Sequence, residues 1–398
     1  VSGAVFIAAA AAAALLAGCT LGSSDAGGPG SGSAPGSAGT PAPAGEGLQV
    51  SPGANGSCSA ASPCSLDAAL DRAGSGATIT LAAGDYGDLD LTGFDHLGDV
   101  EENVTIVGAD GGESTFGRLE TSVPHVTWRG IRVTGVWFLN AGADGSIVEN
   151  SHLDGTGLFV RSDHTVVRDT EFEGGSSVDG IQVGGANDVL LEGNTVHDYD
   201  QGKDNGLHAD CIQVFDSSSV RIIGNDLANC YNAGIITSSG RGTGIADLTI
   251  EGNYVRGCVV KTDACQGGSA ADLRYAKTTG LTVRNNTFLY GSVRIDPLPD
   301  MVFDRNIVGY ISTCDATMTN SVIEAWNERT CDQPDAAGSN GNRTGEVSFV
   351  DREGGDLRPT SADTAAITPS GDGLSPVETD FSGEPMPADV AGAAAPTS

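Results

Sequence analysis

The stretches "VLLEGNTV" (189–196), "VRIIGNDL" (220–227), "LTIEGNYV" (248–255), "LTVRNNTF" (281–288) and "MVFDRNIV" (301–308) share one pattern. Each alternates apolar residues, places an asparagine, and returns to an apolar residue two positions later; the asparagines are Asn194, Asn225, Asn253, Asn286 and Asn306. Upstream, "SIVENSHL" (146–153) puts Asn150, and "TVVRDTEF" (165–172) puts Asp169, in the same slot. "VTWRGIRV" (126–133) and "VTIVGADG" (104–111) read as first coils without the polar rung. Alternation at period two means strand, and the interval between copies is too short for a strand plus a crossover helix. The economical solution is an all-β solenoid: each repeat is one coil, and its strands stack in parallel along the axis. Asparagines at equivalent turns can then hydrogen-bond from coil to coil and satisfy the backbone of the bend.

Over roughly residues 50 to 360 this pattern resembles the right-handed, single-stranded parallel β-helix of the pectate-lyase-like superfamily. The handedness is implied by the resemblance, not by the spacing. "CSLDAALDRAGSGATITLAAGDYGDL" (64–89) resembles the N-terminal cap of such proteins: a short amphipathic helix, a strand, then a glycine turn closing the first coil's edge. "FVDREGGDLRPTSADTAAI" (349–367) and "DFSGEPMPADVAG" (380–392) resemble a bacterial closing segment.

The N-terminal run "VFIAAAAAAALLAGC" (5–19) is short for a membrane span and ends in small residues. It resembles a bacterial lipobox, which implies cleavage before Cys19 and lipidation of that cysteine; a plain secretory peptide is the alternative. No Lys or Arg precedes the run, a departure from such signals. The Gly/Ser/Pro/Ala-rich residues that follow have no hydrophobic period and read as a disordered tether. The expected organisation is a signal peptide (1–18), a tether (19–47), a β-helix domain (48–360) and a partly disordered closing segment (361–398). The protein is expected to be a monomer held on the outer face of the cell membrane. Beyond Cys19 the chain has eight cysteines, an even number that favours disulfides in an exported protein. Proximity suggests Cys58–Cys64, Cys211–Cys230, Cys258–Cys265 and Cys314–Cys331. A formal net charge of −32 leaves no basic stripe and argues against nucleic-acid binding.

Two coils depart from the rhythm. "SVDGIQVGG" (177–185) and "GLHADCIQVF" (206–215) share D-x-I-Q-V, with Asp179 and Asp210 each fifteen residues before a ladder asparagine. The same offset applied to Asn286 and Asn306, and a larger one to Asn253 where "GRGTGI" loops out, place Gln182, Gln213, Ile236, Arg274 and Arg294 in one outward column, after Phe138 and Phe159. Amide, guanidinium and aromatic groups in a row suit a sugar chain, so Phe159, Gln182, Gln213, Arg274 and Arg294 are the expected substrate contacts. Stacked coils bring Asp179 and Asp210 to about 4.8 Å, where two carboxylates repel unless one is protonated, paired or metal-bound. The insertion "HDYDQGKDNGLHAD" (197–210) adds Asp200, Lys203, Asp204 and His208 beside that edge.

Two chemistries fit. β-Elimination from a uronic-acid polysaccharide would use Asp179, Asp200, Asp204 and Asp210 for Ca²⁺ and Lys203 or His208 as base. Hydrolysis would use Asp179 and Asp210 as the acid and its partner. A tethered, non-catalytic glycan binder is the rival of another class. The paired aspartates could also merely cap backbone N–H groups, and the glutamines could form a plain amide ladder.

Overall fold

The computed structural model describes residues 47–110, 113–202, 208–312, 315–331, 340–370 and 373–397. The expected signal peptide, Cys19 and the tether up to residue 46 lie outside the described residues, as do Lys203, Asp204 and Cys314. Among the described residues the strands form three parallel sheets of 13, 9 and 12 strands, and a two-stranded antiparallel pair. Each coil contributes one strand to each parallel sheet in turn. Thus Ile181–Gly184 pairs with Leu158–Val160 on one side and Asp210–Phe215 on the other, and Asn187–Glu192 and Thr195–His197 continue the same coil in the other two sheets. Alternation does the sorting: Ile181 and Val183 are fully buried while Gln182 between them is partly open. The core runs unbroken along the axis, from Trp128 and Trp137, whose rings meet edge-to-face at 5.6 Å, to Phe288 and Phe303.

One corner is closed by the asparagine ladder. The backbone N–H and side-chain amide of Asn194 both donate to Asn225 Oδ1, at 2.9 and 3.0 Å. Asn225 repeats this toward Asn253, Asn253 toward Asn286, and Asn286 toward Asn306. The residue before each rung bends the chain through the left-handed region: Gly193, Gly224, Gly252, Asn285 and Arg305 have φ of 63°, 62°, 66°, 51° and 56°. Asn150 and Asp169 (φ 48° and 49°) belong to that bend and not to the ladder, which corrects their expected slot by one residue. The rungs there are hydroxyls instead. Ser151 Oγ accepts from Ile131 N, Thr170 Oγ1 from Ser151 N, and Asn194 Oδ1 from Thr170 N.

Both ends of the described coils are covered. The helix Leu66–Leu70, capped by Ser65 accepting from Ala68 N at 3.3 Å, packs on the strand Leu48–Val50 beside the Cys58–Cys64 disulfide. Near the C-terminus Phe381 stacks on Tyr254 at 4.0 Å, and Gly392 N and Ala393 N donate to Arg305 O and Thr287 Oγ1. Disulfides Cys211–Cys230 and Cys258–Cys265 are also present. These bonds suit an oxidising, exported setting. No helix among the described residues is long and apolar enough to cross a membrane.

Candidate active site

Where the nine-stranded sheet begins each coil, Asp210 aligns with Ala233, Ala233 with Ser269, and Ser269 with Ser292. Asp179 occupies the same corner one coil earlier. Its Oδ1 accepts the Asp210 backbone N–H at 3.0 Å, and its Oδ2 accepts from Gln182 Nε2 at 3.0 Å. Asp210 Oδ1 accepts from Asn232 Nδ2 at 2.6 Å. His208 Nδ1 stands 3.4 Å from Asp210 Oδ2, an ion-pair distance without hydrogen-bond alignment, so Asp210 Oδ2 is buried with no hydrogen-bond partner among the described residues. Asp179, His208 and Asp210 each offer a ligand atom within 4.8 Å of the other two.

A hydrogen-bonded chain orients these groups. The Arg161 guanidinium donates to Gln182 Oε1 and, at 3.1 Å, to Gln182 O. A guanidinium can only donate, so the Gln182 amide must turn its NH₂ away from Arg161. That NH₂ serves both Asp179 Oδ2 and, at 2.7 Å, Gln213 Oε1; Gln213 Nε2 then faces His208 Nδ1 at 3.4 Å. Arg161 itself lies over Phe159 and Phe215 at 5.6 and 5.2 Å. Gly184 makes room: a Cβ there would come within 2.2 Å of the Phe215 ring.

Burial, and then the neighbouring Asp210 charge, push the Asp179 carboxyl up to about 6. The contact with Asp210 holds the His208 imidazole above its usual range against partial burial. Burial, with Arg241 nearby, pushes the Arg161 guanidinium down to about 10, still charged near neutrality.

The outward column reads Phe138, Phe159, Gln182, Gln213, Ile236, Asp272, Arg294. The Phe138 and Phe159 rings stack at 4.9 Å. Asp272 stands where Arg274 was expected, because the bend after Ser269–Leu273 is two residues longer than the one after Gln213 and shifts the register. Arg274 and Arg294 both pair with Asp272, at 2.7 and 3.4 Å, and are not free cations. Asp200 does not join the cluster; it accepts from Ser176 Oγ and Gly202 N. Half-buried His197, with the exposed Glu171 and Glu173, forms a separate group. Sequence reasoning missed Arg161, Asn232 and Asp272. Arg161 was within reach, since it lies two residues after Phe159 and so projects from the same face.

Residues 129–323 match the family model described as "Right handed beta helix region". Among solved structures, XylC in complex with xylose is similar at 10% identity and TM-score 0.53, covering 87% of this chain and 98% of that one. Pectate lyase Pel9A is similar at 12% identity and TM-score 0.41, covering 86% of this chain and 88% of that one. A rhamnogalacturonan lyase is similar at 10% identity and TM-score 0.48, covering 70% and 87%. A search of curated proteins returned no match. The chain thus folds as a right-handed parallel β-helix, and its acidic corner is built on that scaffold.

Proposed function

We propose that this is an exported polysaccharide lyase, tethered through lipidated Cys19, that cleaves a uronic-acid glycan by metal-assisted β-elimination at Asp179, His208 and Asp210. One observation carries the reading: a buried carboxylate oxygen, Asp210 Oδ2, is left without a hydrogen-bond partner among the described residues beside a second carboxylate and a half-exposed imidazole. A purely structural polar cluster would be expected to satisfy that atom.

Two converging carboxylates, one with an unsatisfied oxygen, fit a hard divalent cation such as Ca²⁺, which Asp179 and Asp210 would hold. When bound, such an ion neutralises a uronate carboxylate and makes the adjacent carbon acid easier to ionise. The glycan would lie along Phe159, Gln182 and Gln213, with Arg294 and Arg274 toward the far end. Neutral His208 then takes the proton from the carbon next to the uronate carboxylate. The freed electron pair forms the ring double bond as the bond to the glycosidic oxygen breaks, and that oxygen leaves and takes up a proton. Asp210 holds the imidazolium that results.

Hydrolysis is a second reading, supported by the raised Asp179 carboxyl beside Asp210, an arrangement that suits an acid and its ionised partner. The two carboxylates are close, which leaves little room for the intervening water of an inverting enzyme and so favours retention.

The test is incubation with polyuronates and neutral glycans, with and without Ca²⁺. Ultraviolet absorbance reports the unsaturated elimination product, and reducing ends report any cleavage. Absorbance that needs Ca²⁺ and a uronate supports elimination. Reducing ends without absorbance transfer the assignment to hydrolysis, and binding with neither signal makes the protein a glycan binder.

A further inference from the structure

The corner that carries Asp179 and Asp210 continues toward the C-terminus through Ala233, Ser269 and Ser292, and Val293 pairs onward with Ile311. Beside Ser292 it opens into a cavity of about 500 Å³ lined by Lys261, Tyr290, Tyr310 and Arg352 among others. Three features suit this cavity to a ligand.

The first is an unspent cation. The chain has 52 acidic residues and three lysines. Lys277 donates to Gly242 O, and Lys203 lies outside the described residues. Lys261 makes neither an ion pair nor a hydrogen bond among the described residues, although it lines the cavity. Arg352, on the same wall, is neutralised by Glu324 at 2.9 and 2.5 Å.

Preorganisation is the second. Lys261 rides on a loop closed by the Cys258–Cys265 disulfide, with Thr262 and Cys265 exchanging backbone hydrogen bonds at 2.8 and 3.2 Å and Gly267 N donating to Cys258 Sγ at 3.2 Å. Holding an exposed loop in one conformation lowers the entropy lost when a ligand binds to it.

The third is an aromatic wall held under strain. Tyr290 has φ 56°, a left-handed conformation that an aromatic residue rarely adopts. The Arg352 guanidinium lies over its ring at 5.9 Å. Tyr310 is 37% exposed, a large amphipathic surface of the kind that packs against a sugar ring.

We infer that this cavity is a distal subsite for an acidic sugar unit of the same glycan, its carboxylate on Lys261 and its ring against Tyr310. The inference rests on the uronate reading above. Three coils separate Ser292 from Asp210, about 14 Å along the axis at the usual coil spacing. Only a chain several units long can therefore occupy both places, and the subsite would make the protein select for length as well as charge.

Calorimetry with uronate disaccharide and hexasaccharide tests this, using a His208→Gln background so that ligand is not consumed. Lys261→Ala is expected to weaken the hexasaccharide about tenfold while leaving the disaccharide unchanged. Tyr310→Ala should act in the same direction, and Cys258→Ser/Cys265→Ser should weaken the hexasaccharide without affecting the disaccharide. Hexasaccharide affinity within twofold of the parent in Lys261→Ala/Tyr310→Ala would overturn the subsite and leave the acidic corner standing. A parent protein that binds no uronate of either length would overturn both.

Discussion

Two corners of this β-helix stack buried polar side chains from coil to coil, and they are finished differently. In the asparagine ladder each amide oxygen accepts from the coil before, and each amide hydrogen reaches a carbonyl or the next rung. In the acidic corner the stacked groups are two carboxylates, one pushed toward neutrality by burial and then by the other, and one keeping an oxygen that accepts no hydrogen bond among the described residues. A neutral amide is donor and acceptor at once, so it can repeat indefinitely. A carboxylate only accepts, and repeating it stores repulsion that must be relieved by a proton, a cation or a ligand. The ladder therefore serves the fold, and the corner is open to chemistry.

Substitutions in the two corners should consequently separate activity from stability. The largest effect is expected for Asp210→Asn, which should lower the elimination rate by about a thousandfold if the corner supplies acid–base and cation-binding groups. Initial rates on a polyuronate check this. Asn253→Ala should do the opposite: cost about 3 kcal/mol by stranding the backbone N–H of Asn225 and taking the amide donor from Ile222 O, with activity per folded molecule unchanged. Denaturant unfolding beside the same rate assay separates the two outcomes.

A smaller effect sharpens the contrast. Asp210→Asn keeps an oxygen for Asn232, offers His208 a donor where Oδ2 now stands, and removes the charge facing Asp179. It should raise stability at neutral pH by about 1 kcal/mol, visible as a higher unfolding midpoint. The sign follows from Asp179, whose folded value near 6 lies above its ordinary one. Stability from that group is present in acid and lost as pH rises through about 6, so the variant's advantage should shrink at pH 4.

The smallest effect concerns Glu149. Burial pushes its carboxyl up, but Arg168 and Arg129 outweigh burial and hold it below its ordinary value. Its contribution is present above the unfolded value of 4.5 and lost as pH falls through the lower folded one. Glu149→Gln should therefore lower the unfolding midpoint at neutral pH, with the difference closing in strong acid.

Much of this was legible in the chain. Period-two alternation around Asn194, Asn225, Asn253, Asn286 and Asn306 specifies stacked coils because no other regular structure buries those residues at that spacing. Asn150 and Asp169 misled because the residue before each rung must adopt a left-handed φ, a slot that Asn and Asp also tolerate. The convergence of Asp179, Asp210 and His208 follows from one shared corner. Arg274 was misplaced by a two-residue difference in bend length that no alternation encodes. Arg161 was missed because its role depends on Gly184 leaving space for Phe215, a contact between coils.

The most direct measurement is product formation from a polyuronate with Ca²⁺ by the parent chain and by Asp210→Asn, with unfolding midpoints of both proteins taken without Ca²⁺. The account predicts unsaturated product from the parent, almost none from the variant, and a variant midpoint equal or higher. Product from Asp210→Asn at the parent's rate, or a loss of activity that merely tracks a lower midpoint, would contradict it and return the acidic corner to the fold.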